Sequence, residues 1–232
     1  MDYFATPDEN KVWHYDQLTA AMTGQVRPGT PGFCAGMCVV WIMLRAAGKD
    51  FTLVTDSKKW KSISISEDQY TKIVDIQNSM ESVAGKAGYQ AGFGALEFDV
   101  GKAVRIVSQN QRFEDVQLAS IAGTAAEQTQ EDSAWFILRM RVSKDKPGHV
   151  VAIEVRGAYP QQQTFRLMDP SNGCVEFVGV NKFNFWMVTN FFKAYAQFYT
   201  GYFKLHRITP VPMSLNLAAH KINSAIQNWK FW

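Results

Sequence analysis

A thiol, an imidazole and a carboxylate can together break an amide bond, and this sequence offers few ways to choose them. It holds three cysteines and four histidines in 232 residues. Cys34 ends a Gly- and Pro-punctuated approach, Gly29-Thr30-Pro31-Gly32-Phe33, and precedes a dense apolar run, Val39-Val40-Trp41-Ile42-Met43-Leu44. The turn residues before it and Gly48 after it bound a helix over 34–47. Unpaired N–H groups at such a helix start favour a thiolate. Cys34 is thus either a nucleophile placed for exposure or a small hydrophobe beside a turn. Cys38 lies one turn on, among apolar residues, and reads as core.

The histidines divide by setting. His14 lies in a polar N-terminal region, His206 in an alternating strand and His220 in a C-terminal helical pattern. His149 directly follows a charged turn, 143–148, and opens the apolar strand His149-Val150-Val151-Ala152-Ile153-Glu154-Val155. An imidazole there titrates in the range useful near neutrality. Asp169 ends the strand Thr164-Phe165-Arg166-Leu167-Met168 and precedes Pro170, where the chain must turn. If these two strands pair, the carboxylate reaches the imidazole. Cys34 would then attack a carbonyl, His149 would accept its proton and return it to the leaving group, and Asp169 would orient the ring. Asp169 alone also fits a turn residue that satisfies its own backbone.

Metal binding competes for the same residue types. Cys34 and Cys38 have a spacing found in zinc sites, but Cys174 and the scattered histidines supply no compact second pair. No metal and no cofactor are expected. Gly85, Gly88, Gly92 and Gly94 lack a preceding strand and the lysine of a phosphate loop. A bridge between Cys34 and Cys38 fits disulfide geometry poorly. An odd cysteine count without a framework points to a reducing compartment.

The elements that must position these groups change character along the chain. Residues 1–31 are polar, with a helix around 15–22 and otherwise an arm or loop. After helix 34–47, residues 48–66 form a connector, and spacing of three and four predicts a helix over 67–84, with Ser66 and Gln69 as a capping box. Gly85–Gly94 is a loop. Short helical patterns follow around 100–108 and 113–121, then a polar connector over 123–133. Strands are expected at 135–142, 149–155, 164–168 and 174–177, joined by connections too short for parallel crossovers, hence an antiparallel meander. Residues 184–198 form an aromatic helix and 202–208 a returning strand. The chain reads as α+β: one domain over 1–232, with a helical part over about 1–133 and a sheet-rich part over about 134–232, and a cleft where they meet.

Three segments together resemble the YopT/AvrPphB-type cysteine proteases, a papain-like family. Gly32-Phe33-Cys34-Ala35-Gly36-Met37-Cys38-Val39-Val40-Trp41 is similar to its nucleophile segment, in which a Gly-x-Cys lies seven residues before a tryptophan. Gly148-His149-Val150-Val151-Ala152-Ile153 resembles its histidine strand, and Leu167-Met168-Asp169-Pro170-Ser171-Asn172-Gly173 its Asp-Pro-Asn-x-Gly region. The order is the family's, and the segments span 32–173, about 60% of the chain. The resemblance implies a papain-like fold, with a helix-borne cysteine facing a histidine on an antiparallel sheet. It implies Cys34 as nucleophile, His149 as base and Asp169 as orienting acid. Cys38 stands where the family often has Ser or Thr, and the Pro-Ser-Asn-Gly order departs from Pro-Asn-x-Gly. Papain-like enzymes also carry a Gln or Asn oxyanion donor a few residues before the cysteine. Gly29 and Thr30 occupy the nearby positions, which leaves Gln25, nine residues upstream, as the candidate beside the Cys34 N–H.

A formal charge of +3 and the lack of a basic run interleaved with aromatics argue against a nucleic-acid partner. Lys58-Lys59-Trp60-Lys61 reads as a solvated stretch. No segment has the length or apolarity of a membrane span. The N-terminus lacks the layout of a signal peptide. The family implies a protein substrate, delivery into a target cell by a route without a cleaved signal, and an inhibitory, immunity or chaperone partner. The C-terminal pattern over 215–232, with Trp229, Phe231 and Trp232, is a helix packed on the body or docked on a partner or membrane surface. Three functions stay open: a cysteine protease, a glutamine deamidase or transglutaminase with the same trio, and a non-catalytic interaction protein.

Overall fold

A computed structural model describes residues 6–15, 33–46, 48–51, 53–55, 61–65, 67–81, 105–106, 119–127, 129, 132–141, 148–196 and 202–208. In chain order the elements are β1 (Lys11–Trp13), α1 (Cys34–Ala46), β2 (Leu53–Thr55), β3 (Lys61–Ile63), α2 (Glu67–Glu81), β4 (Arg105–Ile106) and α3 (Ala119–Glu127). They continue with β5 (Ser133–Arg141), β6 (Gly148–Arg156), β7 (Thr164–Asp169), β8 (Gly173–Val178), α4 (Val180–Trp186), α5 (Lys193–Ala196) and β9 (Tyr202–Ile208). A π-helical stretch, Met187–Phe192, joins α4 to α5.

A seven-stranded sheet runs β1-β8-β7-β6-β5-β9-β4. Every pair in it is antiparallel. The expected meander is its centre, β5 through β8, and β9 returns beside β5. β6 is buried from His149 to Val155, which is why it reads as a continuous apolar run with no alternation. It is covered on both faces. On one side Val150, Ala152, Ile137, Met168 and Cys174 pack with α1, α2 and Trp13. On the other, Val151, Ile153, Val155, Phe165 and Leu167 pack with α3 and the aromatic residues from Phe183 to Tyr195.

Helix α1 lies against α2 closely enough that a Cβ on Gly36 would collide with the Ile73 carbonyl oxygen. Glycine permits that approach. In its place, Gly36 N–H donates to the buried Gln77 Oε1 at 2.9 Å and so finds the partner a first-turn amide lacks within its own helix. Gly173, at φ +112°, turns β7 into β8, and a side chain there would strike the Trp13 backbone of β1. The left-handed conformation and the close strand both demand glycine.

Five expectations are corrected. β1 is a strand within the stretch read as arm or loop; its three residues pair with β8, an edge a short polar segment does not advertise. The connector over 48–66 holds the β2–β3 hairpin. Arg105–Ile106, within a helical pattern, is a strand held by β9. Helix α3 runs to Glu127 through what reads as polar connector, because Ile121, Ala122, Ala125 and Ala126 give it a buried face. The aromatic helix begins at Val180, four residues early, directly after Gly179. Helix 15–22, the Ser66 cap, the loop Gly85–Gly94, most of the basic patch, Gln25, His220 and the helix over 215–232 lie outside the described residues. Among the described residues no helix is long and apolar enough to cross a membrane.

Candidate active site

One helix and two strands bring three groups together at one end of the sheet. The register of β6 on β7 pairs Ala152 with Met168, which carries Asp169 to the level of Val151. His149 is two residues further along β6, on the same face. Diagonal cross-strand neighbours stand about 7–8 Å apart at the backbone, a gap that an imidazole and a carboxyl can close. They do: His149 Nε2 lies 2.8 Å from Asp169 Oδ1, with the two residues 6% and 1% exposed.

Helix α1 brings the thiol. Cys38 Sγ donates to the Val150 carbonyl at 3.5 Å, tying the helix to the start of β6. At the other end of α1, Arg45 Nε donates to Glu154 Oε2 at 3.0 Å. The rise from Cys34 to Arg45 along a helix and from His149 to Glu154 along a strand are both about 17 Å. α1 therefore runs beside β6 in the same direction, which brings Cys34 to the end of the sheet where His149 stands. Cys34 is near enough to the ring to add to its raised proton affinity.

Asp169 is also held by the turn that follows it. Ser171 N–H donates to Oδ1 at 2.8 Å and Asn172 Nδ2 to Oδ2 at 2.9 Å. Tyr195 Oη donates to Oδ2 at 2.5 Å and lies 3.1 Å from His149 Nε2, with its ring stacked on the imidazole at 5.1 Å and 18°. Asn172 and Tyr195 escape a reading by residue type, because one looks like turn chemistry and the other like one more core aromatic. The adjacency of Asn172 to Asp169 is the only signal the sequence carries for either.

Burial works against charge at this site, yet charge persists. Desolvation alone would push the imidazole down, but the Asp169 charge and hydrogen bond, with a smaller part from Cys34, raise His149 from 6.5 to about 10. Burial would likewise raise Asp169, but the His149 charge and the donors from His149, Tyr195 and Ser171 hold it below its ordinary value. The neighbouring Cys38 is the reverse case. Burial, with the nearby Cys34 and Asp169, pushes its thiol well above the normal range and leaves it inert.

One sequence expectation is corrected here: Cys34 is not exposed. It is 9% accessible, packed in the same cluster as Phe33 and Val150. Cys38 is core, as read. His206 is buried on β9 opposite Ile137, and His14, just past β1, bridges Ser62, both away from the two strands that meet here. Among the described residues no group of three or more Cys, His, Asp or Glu side chains could hold a metal ion.

No protein-family model and no curated protein sequence matches the chain. Among solved structures it is similar to the Pseudomonas avirulence protein AvrPphB, at 12% identity and a TM-score of 0.48, over 87% of this chain and 98% of that one. It is also similar to PatoxP, a cysteine protease-like domain of the Photorhabdus asymbiotica toxin PaTox, at 11% identity and a TM-score of 0.43. That match covers 94% of this chain and 61% of the other. The fold is α+β. Cys34 opens a helix that packs on the antiparallel sheet bearing His149.

Proposed function

We propose that the chain is a thiol acyl-transfer enzyme, with Cys34 as nucleophile, His149 as general base and acid, and Asp169 as the group that orients the imidazole. One observation carries this reading. His149 Nε2 lies 2.8 Å from the Asp169 carboxylate, and Cys34 is near enough to add to the raised proton affinity of the same ring. That is the arrangement in which a sulfur proton can be taken up and later returned.

The chemistry follows from the groups in place. The Cys34 proton passes to His149, and the thiolate attacks the carbonyl carbon of an amide. The resulting oxyanion accepts the Cys34 backbone N–H, and Gln25 is the side chain proposed beside it. Collapse breaks the C–N bond, and the departing nitrogen takes the proton from His149. Water then attacks the thioester with His149 again receiving the proton, which releases the acid and restores the thiol.

Hydrolysis of a peptide bond in a protein substrate is the favoured outcome, with both halves of the chain forming one catalytic unit over 1–232. The same steps on a glutamine carboxamide release ammonia and give deamidation, or transamidation when an amine replaces water. A target-cell protein as substrate, and delivery into that cell, follow from the resemblance to effector proteases.

Incubating a target-cell lysate with wild-type protein and with Cys34→Ala separates the outcomes by mass spectrometry. Cys34-dependent new N-termini mean proteolysis. A gain of about one dalton at glutamine means deamidation, and an amine adduct means transamidation. An unreactive Cys34 together with none of these changes would remove the acyl-transfer reading and leave an interaction protein on this scaffold.

A further inference from the structure

We propose that Tyr195, braced by Asn172, is a positioning residue that locks His149 in the tautomer whose Nδ1 lone pair faces Cys34. This rests on the acyl-transfer reading and adds to it a part that neither the sequence nor the resemblance supplies.

Valence gives the reasoning. A carboxylate offers about four acceptor positions. Asp169 receives four donors: His149 Nε2 and Ser171 N on Oδ1, Asn172 Nδ2 and Tyr195 Oη on Oδ2. The Tyr195 oxygen has one proton and two lone pairs. Asn172 Nδ2 donates to it at 3.2 Å, so an amide hydrogen occupies one lone pair and the phenol proton must point elsewhere. It points to Oδ2, at 2.5 Å. The other lone pair then faces His149 Nε2 at 3.1 Å. Nε2 is thus surrounded by acceptors only, a carboxylate oxygen and a phenol lone pair, and must carry a hydrogen. In the neutral ring that leaves Nδ1 as the sole acceptor, the atom that the proposed proton transfer from Cys34 needs.

The ring of Tyr195 is placed for this work. It is 8% exposed, stacks on the imidazole, and is backed by Phe191 at 4.9 Å. A buried tyrosine needs a partner for its hydroxyl, and here the partner is the site itself. The π-helical stretch ending at Phe192 precedes it, a local irregularity that helices often reserve for functional positions.

The test is the pH–rate profile for alkylation of Cys34 by iodoacetamide, read by peptide mass spectrometry, in wild type, Tyr195→Phe and Asn172→Ala. Tyr195→Phe keeps the stacked ring and removes only the hydroxyl. Asn172 is half-buried in a turn, so its loss threatens the fold least. The groups facing Asp169 are His149 from β6, Tyr195 from α5, and the thiols of Cys34 and Cys38 from α1. Removing one donor from a carboxylate held by four makes it easier to protonate, and a protonated Asp169 no longer fixes the imidazole. In both variants the acid-side fall of the rate therefore moves up by about one pH unit. The plateau drops about three- to tenfold, with circular dichroism unchanged. A lower plateau with the acid limb unmoved in both variants means a structural role only and overturns the proposal. His149→Ala is the control. If it leaves the alkylation rate of Cys34 unchanged, the acyl-transfer reading itself fails. If it slows alkylation while neither limb moves, only the role of Tyr195 is lost.

Discussion

Towards its two ends β6 meets a carboxylate buried to 1% exposure, its own Glu154 and the Asp169 of β7, and the two serve opposite uses. At one end Glu154 accepts from Arg45 Nε at 3.0 Å, with Arg156 at 3.9 Å. Around it Arg156 and Arg166 hold Glu176, and Arg166 reaches Asp50 at 3.3 Å. All its basic partners are guanidiniums, which keep their charge at any pH a protein meets. At the other end Asp169 meets an imidazole, a phenol, an amide and a backbone N–H. The imidazole among them can take up and release a proton beside Cys34. Burial is the same, and the chemistry of the partners decides which end is a clamp and which can move a proton.

Asp169→Asn breaks the comparison hardest. It keeps the shape and removes the charge that fixes the ring, so turnover falls by about 10³–10⁴-fold against whatever substrate the wild type processes. Unfolding shows whether the fold survives, and an activity loss under tenfold would place Asp169 among ordinary turn residues. Glu154→Gln should do the reverse. It leaves Arg45 short of its buried partner and costs about 2–4 kcal/mol in denaturant unfolding. The rate of Cys34 alkylation in the folded protein should stay within about twofold of wild type. A loss of reactivity without a loss of stability would erase the distinction between the two ends.

Proton linkage sharpens the contrast at smaller amplitude. His149 is raised from 6.5 to about 10, so the stability it contributes is whole below pH 6.5 and is lost as pH rises through about 10. Asp169 is lowered, so its contribution is present above its ordinary value and disappears as acid takes pH down through the folded value. Thermal unfolding of the wild type should therefore weaken from pH 6.5 towards 10. Asp169→Asn should flatten that alkaline decline, whereas Glu154→Gln should keep it. An equal decline in all three proteins would place the proton elsewhere.

The legible parts of the structure are those with local causes. Strand ends at 143–148, 160–163 and 170–172 were visible because turn residues stand there, and the short connections dictated antiparallel pairing. Helix α1 followed from the glycines on either side of an apolar run. The edge strands β1 and β4 were not visible, since two or three residues become a strand only when a neighbour supplies the hydrogen bonds. Helix α3 was misread at its end because alanines bury a face without a marked pattern. At the site, Cys34, His149 and Asp169 could be named from position, from elimination among four histidines, and from the resemblance. The burial of Cys34 could not, because exposure depends on what packs over a helix start. Tyr195 was hidden for a related reason. In a stretch with Phe183, Trp186, Phe191 and Phe192, nothing in the sequence separates a hydroxyl that organises a carboxylate from one that merely ends a ring.

Everything catalytic depends on the imidazole activating one thiol among three. Alkylation by iodoacetamide between pH 5 and 9, followed at Cys34, Cys38 and Cys174 in wild type and His149→Ala, tests this most directly. Cys34 should react first and alone in the native wild type, and His149→Ala should slow it at least about tenfold. Cys38 and Cys174, both buried with raised thiols, should react only on unfolding. A Cys34 rate that is identical in the two proteins across that range would contradict the account.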